Sequence, residues 1–149
     1  MRVLGAWLCV AVGCGGAVVK PEPPPIDVPR PTQVGRYQVA VSFDPDPPKL
    51  GELFRATARV TLADGRPVET AKVELDARMP QHEHGMETRP RLRPGQCEAG
   101  DDGVERCRHQ DGIYIFDGFK FHMAGDWTLL ATIEGPKGPD STSIVFRAR

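Results

Sequence analysis

Tyr37-Gln38-Val39-Ala40-Val41-Ser42-Phe43 places Tyr37, Val39, Val41 and Phe43 on one side of an extended chain, and Asp44-Pro45-Asp46-Pro47-Pro48 stops it. An apolar residue at every second position marks a half-buried strand, because successive side chains on a strand point to opposite faces. Working outward, Phe54, Ala56, Ala58, Val60 and Leu62 keep the same phase before Ala63-Asp64-Gly65-Arg66-Pro67 reverses the chain. Val73, Leu75, Ala77 and Met79 repeat it. After an irregular middle come residues 112–116, 119–121, 127–133 and 141–146. About seven strands at roughly ten-residue spacing, without an amphipathic helix, predict an all-β fold, an immunoglobulin-like antiparallel β-sandwich. Trp127 is the expected central packing residue.

The chain has 149 residues, of which 40% are apolar and 26% charged, as one small domain requires. Its 19 basic residues are matched by 20 acidic ones. There is no cationic surplus to neutralise a phosphate backbone, so nucleic acid is not an expected partner. The 15 prolines and 16 glycines interrupt the chain too often for long helices.

Arg2 precedes the apolar run Val3 to Gly13. Its core of about ten residues is too short to span a bilayer but long enough for a secretory signal. Ala11-Val12-Gly13-Cys14-Gly15-Gly16 resembles a bacterial lipobox, and the resemblance implies a signal peptide over residues 1–14 with Cys14 as the lipidated residue; ordinary secretory cleavage nearby is the alternative. Residues 15–35 carry prolines at 21, 23, 24, 25, 29 and 31 and are expected to form an extended stalk without packed structure. Residues 36–149 would then be the folded domain. The protein is expected in the cell envelope, on the extracytoplasmic side, touching the membrane through its lipid anchor only.

An oxidising compartment would pair Cys97 with Cys107 across a polar loop that has little apolar content of its own. A zinc site at Cys97, Cys107 and His109 lacks a fourth ligand and close ligand spacing. His109 is expected to be solvated.

The chemistry gathers in Met79-Pro80-Gln81-His82-Glu83-His84-Gly85-Met86 and at His122-Met123. Were residues 82–86 extended, His82, His84 and Met86 would project to one side. Imidazole suits copper or zinc, and thioether sulfur suits copper(I), so the combination points to a copper ion. His84 and Met86 are the leading candidates, then His82, with His122 or Met123 supplied by the second segment. Met79 is in phase with the core residues before it and is expected to be packed. Met123 likewise continues the Phe119 and Phe121 face. His122 points away from Met123 on a regular strand, so a bend at Gly125 would be needed for both to serve one ion.

Met79-Pro80, His84-Gly85-Met86, Gly112, Tyr114, Phe121, Met123-Ala124-Gly125 and Trp127 resemble the YtkA-like and FixH-like domains of bacterial envelope proteins. The resemblance implies an immunoglobulin-like sandwich and an association with copper handling or cytochrome oxidase assembly. Two departures stand out. His82 occupies a position where methionine is common in the family, and the segment holding Cys97 and Cys107 is inserted before the Gly112 strand.

An enzyme reading has one foothold, and its spacing is wrong. His82-x-His84 followed by Glu87 is similar to the first motif of cupins, but the glutamate stands too close and no downstream partner motif follows. The expected function is a lipid-anchored envelope protein that binds copper through its His/Met cluster and exchanges it with a copper-accepting or other envelope protein. The alternative is a non-catalytic interaction module in which the histidines are incidental.

Overall fold

The computed structural model describes residues 22–149. The signal peptide, Cys14 and residues 15–21 lie outside the described residues. In chain order the strands are β1 (Arg30–Pro31), β2 (Tyr37–Asp44), β3 (Phe54–Leu62), β4 (Lys72–Met79), β5 (His84–Gly85), β6 (Arg91–Leu92), β7 (Gln96–Ala99), β8 (Glu105–Arg108), β9 (Ile113–Phe119), β10 (Gly125–Gly135) and β11 (Gly138–Ala148). Two 3-10 turns, Pro80–His82 and Gln110–Gly112, interrupt the connections. Among the described residues no helix is long and apolar enough to cross a membrane.

Five strands form one antiparallel sheet in the order β1-β2-β3-β9-β6, and four form a second in the order β11-β10-β4-β5. The alternation in the sequence becomes the inside and outside of this sandwich. In β2, Tyr37, Val39, Val41 and Phe43 are buried; in β4, Val73, Leu75, Ala77 and Met79 are. Trp127 is fully buried, and Phe121 lies 4.9 Å from it. Each large side chain removed from water contributes about 1.5–3 kcal/mol, so the aromatic cluster of Phe43, Phe54, Phe121 and Phe146 fastens this end of the sandwich firmly.

Two phenols tie loops to the core. Tyr37 donates to the Gly138 carbonyl at 2.7 Å and accepts from the Lys137 N–H at 2.9 Å. Tyr114 donates to the Val68 carbonyl at 2.8 Å and accepts from the Ala71 N–H at 3.1 Å, and burial raises its pKa to about 12.

The structure corrects the expected strand list between residues 112 and 121. One strand, β9, replaces two. Phe54 pairs with Phe119 while Arg55 pairs with Asp117, so Gly118 is an extra residue with φ +92°. This bulge shifts the phase by one, letting Phe116 and Phe119 both face inward although three residues apart. The irregular middle also holds four short strands, β5 to β8, that are too brief to carry a period.

The described part of the supposed stalk is also corrected. Arg30 and Pro31 pair with Val39 and Gln38, and the Ile26 carbonyl accepts from the Val41 N–H at 3.0 Å. Proline lacks an N–H but is tolerated on an edge strand, where none is needed on the outer side. Buried Thr32 donates to Asp140 at 2.6 Å, and the same carboxylate accepts from the N–H groups of Val34, Arg36 and Ser141. Burial alone would raise the pKa of Asp140, but these donors together hold it below the ordinary carboxylate value.

Candidate metal centre

β4 ends at Met79 because Pro80 follows, and Pro80 opens a one-turn 3-10 segment. Glu83 then adopts the left-handed conformation, φ 55° and ψ 25°, and the chain returns as β5 against β4. Residues 82–86 are therefore not extended throughout, as the period-2 reading required. His82 belongs to the turn; only His84 onward is strand-like. His84 pairs with Met79 and Gly85 with Arg78, while the Met86 N–H reaches the Ala77 carbonyl at 3.2 Å. Opposed residues of an antiparallel pair share a face, so His84 and Met86 lie on the inner face with Met79 and Ala77.

The second segment arrives from β9. Phe121 is buried and its carbonyl accepts from the Gly51 N–H at 2.8 Å. His122 follows outside any strand, the chain bends at Met123, and Gly125 opens β10 with φ +137°. The His122 ring lies 4.9 Å from the ring of His84, and the His82 ring lies 5.7 Å from that of His84. Trp127 forms the floor, 5.6 Å from His122 and 6.3 Å from His84. Its indole N–H donates to the Met123 carbonyl at 3.1 Å, which closes the turn beside His122.

Two imidazoles that share one ion through bonds of about 2.0 Å have ring centroids about 5–5.5 Å apart; the His84–His122 spacing of 4.9 Å falls just below that range and the His82–His84 spacing of 5.7 Å just above it. His122 Nδ1 is buried without a hydrogen-bond partner. Such an atom costs about 1–3 kcal/mol unless something supplies the missing interaction. His84 Nδ1 is 3.3 Å from the Gly85 carbonyl. In the tautomer that donates there, Nε2 keeps the lone pair that a metal takes. The rings of His84 and His122 approach within reach of a shared ion, whereas the donor atoms of His82, His84 and His122 do not form a set within 4.8 Å of one another.

The thioethers are placed differently. Met86 and Met123 are half-buried and packed against the hydrophobic core, and Met86 lines a separate cleft of about 530 Å³ with Leu75, Thr88, Leu92 and Phe116. Met79 is core, as expected. Among the described residues, Cys97, Glu105 and Cys107 form the single set of three acidic, thiol or imidazole groups with donor atoms all within 4.8 Å. It is not a metal site, since the two sulfurs are bonded to each other across the paired strands β7 and β8.

His109 is not solvated as the sequence reading expected. It is 8% exposed, its ring stacks on Tyr114 at 4.3 Å, and its backbone N–H donates to the Glu69 carbonyl at 2.8 Å. Burial lowers its pKa. The Glu69 carboxylate in turn accepts from Arg108 and from the Asp111 N–H. No spacing in the sequence signals this cluster, because its members come from two connections brought together only by the fold.

A family model described as YtkA-like matches residues 32–132, a span that includes all three clustered histidines. No curated protein matches the chain. Among solved structures, a copper-bound variant of FetP from uropathogenic Escherichia coli is similar, with a TM-score of 0.52 and 12% identity, over 83% of this chain and 95% of that one. At that identity the likeness speaks for the sandwich fold.

Proposed function

The chain belongs to the YtkA-like family, and from that premise we propose that it is a non-catalytic copper carrier of the cell envelope, lipid-anchored through Cys14 on the extracytoplasmic side. The observation that carries the reading is the pair His84 and His122, with rings 4.9 Å apart and a buried, unpartnered Nδ1 on His122. His82 is exposed in the neighbouring turn, its ring 5.7 Å from that of His84, and would have to swing toward the pair to serve as a third imidazole. Met86 and Met123 are soft donors beside the site, and a rotamer change would bring a thioether to a copper(I) ion. The similar FetP structure is copper-bound, which favours copper over zinc as the cargo. A copper-accepting envelope protein is the natural recipient.

Copper(I) buffered by a competing chelator and titrated into the full chain tests the reading. Uptake near one equivalent is expected, weakened at least about tenfold by His84→Ala or His122→Ala, since removal of a ligand costs no less than removal of its supporting shell. Absence of uptake, or uptake indifferent to both substitutions, would favour a metal-free interaction module.

A further inference from the structure

The described chain begins at the end of the sandwich that carries the imidazoles. Glu22 pairs with Arg149, next to Ala148, whose partner in the sheet is Gly125, three residues beyond His122. From there the chain runs away from the site. Ile26 meets Val41, Arg30 meets Val39, and Thr32 reaches Asp140 near the far end. The two ends are separated by the 11 residues of β10, about 35 Å of strand.

We infer that the end of the sandwich bearing His82, His84 and His122 faces the membrane surface. The inference rests on the proposed lipidation of Cys14. Only residues 15–21 separate Cys14 from Glu22, and eight peptide steps reach at most about 28 Å. The inverted orientation, far end against the lipid, would lift Glu22 by about 35 Å, beyond the reach of its own tether. Exposed apolar side chains do not separate the two ends, since Leu53 is 67% exposed at the site end and Val34 is 69% exposed beside Asp140, so the reach of the tether alone carries the orientation.

The full lipidated chain, reconstituted into phosphatidylcholine vesicles that carry an energy-acceptor dye on a fraction of the headgroups, tests the orientation. Donor dyes are attached through Leu53→Cys at the site end or Lys137→Cys at the far end, both exposed positions that are not among the candidate ligands. Donor emission is expected to be quenched several-fold more strongly at position 53 than at position 137. Equal quenching, or stronger quenching at 137, in protein that floats with the vesicles overturns the orientation and leaves the anchor standing. Protein that fails to float overturns the anchor and the orientation together. Neither readout depends on copper, so failure of metal binding is scored separately.

Discussion

The phenol of Tyr37, on one sheet, holds the Gly138 carbonyl and the Lys137 N–H in the hairpin of the other. Tyr37→Phe keeps the buried ring and deletes both hydrogen bonds, leaving two hairpin groups to find water. A loss of about 1–3 kcal/mol is expected, read as a lowered midpoint in urea with an unchanged slope. An unchanged midpoint would mean that the hairpin is held by its strand pairing alone.

Gly118→Ala probes the bulge that turns Phe119 and Phe121 inward. At φ +92° a side chain is strained, while the nearest atom to an added Cβ is the Arg89 carbonyl oxygen at 3.7 Å, an ordinary contact. The cost is therefore conformational and on the order of 1–2 kcal/mol. Thermal unfolding of the variant checks it; a neutral result would show that the strand accepts a regular register here.

His109 couples stability to acid. Its pKa is lowered by burial in the folded state, against an unfolded imidazole near 6.5. Below that pH the unfolded chain binds a proton that the folded chain resists, so stability is full above about pH 6.5 and falls as pH drops toward the folded value. His109→Phe retains a ring to stack on Tyr114 and removes the titration. The fall in Tm between pH near 7.5 and near 5 is expected to be smaller in the variant than in the parent. Equal falls would assign the acid response to other groups. Asp140 acts in a different window, since its stabilisation is present above the ordinary carboxylate pKa of 3.8 and is lost only below it.

Copper uptake should discriminate among the donors. His122→Ala is expected to weaken it by at least about tenfold, and Met86→Leu, which preserves packing in the core, by much less. Protons compete with metals for imidazole nitrogen, so parent uptake is also expected to be weaker near pH 5 than near pH 7. Isothermal competition with a chelator of known affinity reads both effects. A larger loss from Met86→Leu than from His122→Ala would move the site onto sulfur.

The long strands were legible because each has one wet face and one dry face. Residues 37–43, 54–62, 72–79 and 127–133 show it in their alternation, and the structure places strands there. The rest resisted for physical reasons. Gly118 breaks the phase of β9, so a single strand reads as two. Strands of two to four residues carry no measurable period. Prolines before residue 32 read as a stalk, whereas what docks them is the bond from Thr32 to Asp140, 108 positions away in sequence. At the candidate site, the clustering of histidine and methionine in two segments pointed to residues 82–86 and 122–123 as neighbours, while which side chains approach depends on the turn at Glu83 and the path after Phe121. The burial of His109, and the packing of Met86 against the core, depend on neighbours that no local pattern names.

The short pairing of Arg30 and Pro31 with β2 has a colloidal consequence. An open sheet margin invites a neighbouring copy to add its own strand, and the hazard grows when molecules are confined to two dimensions. Here the margin is blunted by a residue that has no hydrogen to offer. Copies crowded side by side on one surface would be denied the first stitch of a fibril along that flank.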